Sequence, residues 1–222
     1  MKPGPGQPGA VIDALRKQYG AVELPEPREP FELIVWENCA YLVDDQRRAE
    51  TFERLRTAVG ITPPKLIGAG AKKVEAAIAG GGMQPSHRAA KVLRCAEIAL
   101  DVSDDGWGDR RVLKRFPGIA DPGADKVLLL CGLGDAPALD SNGLRVLERL
   151  HFVKPGLEYA AAYRAGVGAL SAAGVRGRAA LEAFVLLRAH GRELCKRANP
   201  LCAACSLRAR CPSAGERTIS RS

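Results

Sequence analysis

At 222 residues the chain has room for one or two domains, and its 46% hydrophobic content suits a packed globular protein. Aromatics are only 5% while alanine and leucine dominate, a balance that favours helices over sheets. Lysine and arginine outnumber the acids 33 to 25, and the formal charge of +8 points to a polyanionic partner, most simply nucleic acid; the bland alternative is the Arg- and Ala-rich composition of a GC-rich genome. No apolar run approaches the ~20 residues that span a bilayer and no secretory signal is visible, so a membrane role is not expected and a soluble, cytoplasmic protein is.

The opening MKPGPGQPG is too rich in proline and glycine for a helix, and residues 1–9 are expected to be disordered. A short helix is predicted over 11–19, ending at Gly20, with a proline-rich connector over 24–30. Residues 31–41 are apolar at most positions (Leu33, Ile34, Val35, Trp36) but contain Glu37 and Asn38. A charged, unpartnered carboxylate inside such a helix is costly, so Glu37 either faces solvent or borders a polar cleft.

An amphipathic helix follows over 44–59, with Phe52, Leu55 and Val59 on one side. Next come a helix or pair of turns over 65–78, a glycine loop at 80–82, and a second amphipathic helix over 87–101. That helix is predicted to point Val92, Leu93, Ile98 and Leu100 inward and His87, Arg88, Lys91 and Arg94 along other faces. Residues 102–109 are a loop. Beyond Leu150, helices are predicted over 157–170 and 178–190. No alternating strand pattern and no internal repeat is evident, so the fold class is all-α, with roughly ten short helices.

Two stretches carry chemistry. The first is Phe116-Pro117-Gly118-Ile119, a tight turn between helical patterns at 110–115 and around Val127–Leu130. Pro117 fixes one backbone angle and Gly118 permits a positive one, so the turn can offer N–H groups to an anion at the start of the second helix. Ten residues past Leu130 stands Asp140, at or near the N-cap of a helix carrying Leu144, Val146, Leu147 and Leu150. A plain helical hairpin and a capped helix would look the same.

The second stretch holds four of the seven cysteines: Cys195, Cys202, Cys205 and Cys211, spaced C-x6-C-x2-C-x5-C. Four thiolates in one short loop can surround a tetrahedral zinc or an iron–sulfur cubane. With one C-x2-C pair and wide outer spacings, the loop suits iron–sulfur better. Its role would be structural, since a coordinatively complete cluster leaves no open position. Cys39, Cys95 and Cys131 sit on apolar helices and are expected in the core.

With this loop in place, 30–211 resembles the endonuclease III family of helix-hairpin-helix DNA glycosylases. The resemblance rests on Pro30-Phe31-Glu32-Leu33, on Phe116-Pro117-Gly118-Ile119, on Leu139-Asp140 with Asn142 and Arg145-Val146-Leu147, and on His190-Gly191-Arg192 leading into the cysteines. It implies a six-helix barrel domain over 30–134 and an iron–sulfur domain built from 10–29 and 135–222. Double-stranded DNA with a damaged or mismatched base would lie in a groove between them, one nucleotide flipped out, on a monomeric, nucleoid-associated protein.

The resemblance also implies a [4Fe-4S] cluster on Cys195, Cys202, Cys205 and Cys211, and Asp140 as the catalytic carboxylate. Gly118, Ala120 and Lys126 would contact phosphate, and Leu42, Met83, Gln84 and His87 are candidates to fill the vacated stack. Three departures stand out. The position of the family's strand-cleaving lysine is Pro122, the hairpin's second glycine is Ala120, and the gap-filling glutamine is replaced around Tyr41 and Leu42. Glu37 follows Pro30 by seven residues, the spacing of the monofunctional mismatch branches, which makes it the second catalytic candidate.

The expected activity is therefore hydrolysis of the N-glycosidic bond, with thymine or uracil first and oxidised pyrimidines second. The alternatives are a weak lyase using Lys126, and a DNA-binding member with degenerate catalysis that recognises abasic or distorted duplex.

Overall fold

The computed structural model describes residues 6–22 and 29–214. Among the described residues ten α-helices run in order: α1 Pro8–Tyr19, α2 Pro30–Cys39, α3 Asp45–Ala58, α4 Pro63–Ile78, α5 Pro85–Leu100, α6 Arg110–Leu113, α7 Asp121–Leu130, α8 Ser141–Arg149, α9 Tyr159–Ala172 and α10 Gly177–Glu193. Among the described residues the only β feature is an isolated bridge between Tyr41 and Gly82. The all-α expectation holds. The chain forms two compact units, one from the described parts of 25–133 and one from those of 1–24 and 134–222.

Proline sets several helix starts, because it needs no N–H in the first turn and its φ is already helical. It does so in α1, α2, α4 and α5. This is why α1 begins at Pro8, inside the segment expected to be disordered; residues 1–5 of that segment, and most of the connector expected at 24–30, lie outside the described residues. Acids do the same work elsewhere. Asp44 accepts from the Arg47 N–H at the start of α3, and Asp109 accepts from the Arg111 N–H at the start of α6. Helix α4 is broken at Gly70, whose φ of 73° no ordinary helix admits. The loop expected at 102–109 contains a 3-10 turn, Asp104–Gly108.

The core of the 25–133 unit gathers Val35 and Cys39 from α2, Phe52 and Leu55 from α3, Leu66, Val74 and Ile78 from α4, and Val92 and Ala96 from α5. Trp36 packs edge-on to Phe52 with ring centroids 5.3 Å apart. Cys39 and Cys95 are buried as expected, whereas Cys131 is half-buried.

Two side chains of α5 depart from expectation. Leu100, expected inward, is 59% exposed because it is the last residue of its helix, past the edge of the core. Arg88, expected on an outer face, is only 4% exposed. Its guanidinium donates to the carbonyls of Cys39, Ile78 and Gly82, and its Nε to that of Met83. The carbonyl ends of α2 and α4 converge there, and a buried guanidinium is tolerated where acceptors meet its fork of donors.

Candidate active site

Each unit presents one of the two carboxylates singled out in the sequence, and each carboxylate has its own cation. In the unit made from the chain ends, Asp140 caps α8. Its Oδ1 accepts from the N–H of Asn142 at 3.0 Å and of Gly143 at 2.7 Å. Its Oδ2 accepts from Asn142 Nδ2 at 3.0 Å and lies 3.2 Å from Arg188 Nε of α10. The carboxylate is thereby fixed in orientation, and 20% of the side chain still reaches solvent. Half-exposed Tyr159, at the start of α9, senses it: burial, then the charges of Asp140 and Glu148, push its phenol above the usual range.

The same helix α8 grips the cysteine loop. Arg145 donates to Asn142 Oδ1 and to the carbonyls of Gly191 and Cys195. Arg149 donates to the carbonyls of Cys195, Lys196 and Arg197 and to Cys195 Sγ at 3.1 Å. Gly191 makes this approach possible, since a Cβ there would stand 2.5 Å from the Asn142 carbonyl oxygen. So the Asp-Ser-Asn-Gly-Leu-Arg run serves two ends, a cap on one side and loop clamps on the other.

All four cysteines of the loop line one pocket with Val146, Leu150 and His190. Among the described residues no three His, Cys, Asp or Glu side chains close into a ready-made metal site, but the donor set suits thiolate ligation. The loop is cross-tied around it: Cys211 Sγ donates to the Arg149 carbonyl at 3.5 Å, and His190 Nε2 lies 3.4 Å from Cys205 Sγ. His190 is 1% exposed, its Nδ1 lies 3.0 Å from the Tyr19 hydroxyl, and burial pushes its pKa down to about 4, so it packs as a neutral ring.

In the 25–133 unit, Glu37 lies on α2 with Lys126 of α7 against it, Nζ to Oε1 2.5 Å. Their side chains are 29% and 18% exposed. Lys126, expected to meet phosphate or solvent, is a counter-ion of Glu37. A carboxylate on an apolar helix needs such a partner, and the sequence offered no sign of which residue it would be.

The hairpin turn leads into α7, with Ala120 at the N-cap supplying no side-chain cap and Pro122 in the first turn. Gly118 has φ 77°, and a Cβ there would stand 2.8 Å from Asn38 Oδ1. Asn38 was not expected to matter, yet it is 5% exposed and its Nδ2 donates to the carbonyls of Ile34 and Pro117, pinning the turn to α2. A buried amide beside a proline turn was the one available signal. The turn also carries its own charges: Asp121 Oδ1 lies 2.5 Å from Lys114 Nζ and 3.2 Å from Arg110 Nη1, and Asp125 binds Arg110 Nε at 2.5 Å.

The candidate stack-filling residues fall on two neighbouring loops. The Tyr41 N–H donates to the Gly81 carbonyl at 2.8 Å, and Arg88 ties both loops from below. Leu42 is 74% exposed with φ 55°, Met83 is 60% exposed, and Gln84 takes φ 54°. Strained, exposed, partly apolar tips on a rigid base are unusual for a surface with no partner. His87, on the first turn of α5, is exposed.

No family model matches the chain. The endonuclease III of Sulfolobus acidocaldarius is 29% identical over 172 residues, covering 75% of this chain and 74% of that protein. A solved non-covalent endonuclease III–DNA complex aligns with a TM-score of 0.80 at 21% identity, covering 96% of this chain and 97% of that one. A trapped covalent endonuclease III–DNA intermediate aligns at 0.78 and 22%, covering 96% and 99%. A thermostable thymine-DNA glycosylase aligns at 0.76 and 15%, covering 94% and 97%. The solved structures establish the fold, that of endonuclease III and of a thymine-DNA glycosylase, and in sequence the chain is similar to an endonuclease III.

Proposed function

We propose that this protein is a DNA glycosylase of base-excision repair that releases a damaged or mismatched base by hydrolysis. The supporting observation is the environment of Asp140, a partly exposed carboxylate locked by two backbone N–H groups, an amide and a guanidinium. Such a group is poor at rearranging but good at holding negative charge in place. That is what an oxocarbenium-like sugar needs as its base departs. Asp140 would stabilise that charge and orient the attacking water, and Glu37 is the second carboxylate proposed for the reaction.

Pro122 occupies the position of the family's nucleophilic lysine and has no amine to offer. Lys126, one helical turn on, lies 2.5 Å from Glu37 Oε1, an ion pair that weighs against its acting as a nucleophile. The reading is therefore monofunctional. The partner is duplex DNA, held by the hairpin and the basic surface, with Leu42, Met83, Gln84 and His87 placed to enter the stack.

Cys195, Cys202, Cys205 and Cys211 would hold a [4Fe-4S] cluster, which would supply a structural cross-link of the loop rather than take part in the hydrolysis. Arg145 and Arg149 would transmit that order to α8 and hence to Asp140. Purified protein should be amber, and chelation or Cys202→Ser should bleach it and loosen the loop to proteolysis.

The test of the function is a lesion panel in which base release, revealed by alkali, is scored apart from spontaneous strand scission. Release from a thymine or uracil mismatch or an oxidised pyrimidine, with strands intact until alkali is added, is expected. Strand scission without alkali, with a borohydride-trapped adduct, would overturn the monofunctional reading. Binding of every duplex with release from none would overturn the glycosylase itself.

A further inference from the structure

Glu37 can protonate a departing base only if it carries a proton. The Lys126 ammonium at 2.5 Å, on a side chain four-fifths covered, favours the carboxylate over the acid. Other charged and titratable groups surround the end of α2. From α3, Arg48 donates to the carbonyls of Trp36, Glu37 and Ala40. From α5, Arg88 donates to the Cys39 carbonyl. The thiols of Cys39, on α2 itself, and Cys95, on α5, are pushed to about 12 by burial and stay neutral.

We propose that Lys126 is a specificity-determining positioning residue: by holding Glu37 as a carboxylate it restricts the site to bases that leave as anions. This rests on the glycosylase reading and narrows it. In the step itself the C1′–N1 bond breaks heterolytically, and its electron pair stays on the base, spread over N1 and the flanking carbonyl oxygens. The water oxygen bonds C1′; one of its protons remains on the new hydroxyl and the other ends on the departed base. Uracil and thymine carry the charge on O2 and O4, and an electron-withdrawing 5-substituent eases it further. Adenine has no such oxygens and departs readily only after a ring nitrogen is protonated, the service that a paired Glu37 withholds.

The site therefore ranks substrates by the acidity of the leaving base. The experiment is single-turnover base release from matched duplexes carrying 5-fluorouracil, uracil, thymine or adenine opposite guanine, between about pH 5.5 and 8.5. The proteins are the wild type, Lys126→Met and Lys126→Arg, each checked for unchanged melting. The wild type should release the pyrimidines in that order, with no gain in rate toward acid, and adenine at least about a thousandfold more slowly than uracil. Lys126→Met should slow thymine by about tenfold or more, shift the optimum toward acid as Glu37 becomes able to protonate, and narrow the gap to adenine. Lys126→Arg keeps a cation at Glu37 and should restore most of the wild-type order.

Efficient adenine release by the wild type, faster in acid, would overturn the proposal. So would pyrimidine release whose order and pH profile ignore Lys126→Met. Release from no duplex by the wild type would instead sink the underlying glycosylase reading, and the proposal with it.

Discussion

Asp140 and Glu37 are both carboxylates beside a cation, and the way each is held is opposite. Asp140 is fixed by its own neighbourhood in sequence: the N–H groups of residues two and three positions on, the side chain of Asn142, and only then a distant arginine. Glu37 sits in the last turn of α2, where backbone N–H groups are already used, and it meets the end of a flexible lysine on another helix. One carboxylate is built into a turn, the other steered by tertiary packing. The lesson is about robustness. A locally capped group keeps its orientation when its surroundings shift, whereas a steered one inherits every displacement of the helices that bring the pair together.

The largest effect should come from Asp140→Asn. Asparagine caps a helix about as well as aspartate, so folding survives while the negative charge is lost. Base release should fall by about a thousandfold or more with melting nearly unchanged. Full activity in that variant would remove Asp140 from the chemistry. Glu37→Gln should cost less, about ten- to a hundredfold, because it removes a charge that is steered into place rather than preorganised.

Next is Asn38→Ala, which attacks the steering directly. Losing a buried amide that donates to the carbonyls of Ile34 and Pro117 should cost about 2 kcal/mol, read from denaturant melts. It should also free the hairpin turn from α2, the helix that carries Glu37. The matching change in the other unit, Arg188→Met, should be milder. The cap still holds Asp140 in its absence, so single-turnover release should change by no more than about tenfold in either direction. A collapse of activity as deep as that of Asp140→Asn would mean that the cap alone does not position the carboxylate, and the contrast between the two regions would fail.

This contrast also explains what could be read in advance. Asp140, the Phe-Pro-Gly-Ile turn and the cysteine spacing are local patterns, and local chemistry sufficed to place them: an N-cap acid, a glycine with φ of 77°, four thiols lining one pocket. Much of the helix order followed for the same reason, since the starts of α1 to α8 are marked by proline or aspartate. What escaped was decided by convergence in space. Arg88 stands one turn before Val92 on the buried face of α5, where only its charge argued for the surface, and the meeting of carbonyls at the ends of α2 and α4 makes its burial favourable. Lys126, expected at phosphate, and Arg188, not singled out in the sequence, meet their carboxylates in the same way, and nothing within a few residues of either names its partner.

The smallest expected effect sits at the hairpin, where the turn's acid occupies its own cations. Asp121 opens α7 and lies against Lys114 and Arg110, and Lys114 first among them holds its carboxyl below the ordinary carboxylate range. A carboxyl depressed in this way stays ionised down to that lowered value. Its pair is therefore intact throughout any neutral assay and is lost only as pH falls through it. Asp121→Asn should release Lys114 toward an incoming phosphate, while Arg110 keeps Asp125, and remove a repelling charge beside the turn. Duplex affinity should rise about threefold, and the slope of log affinity against log salt should steepen by up to about one. An unchanged slope would mean that DNA already displaces Asp121 from its partners on binding, making the hairpin, like Glu37, a site whose charges are set by what packs against them rather than by the residues next to them in the chain.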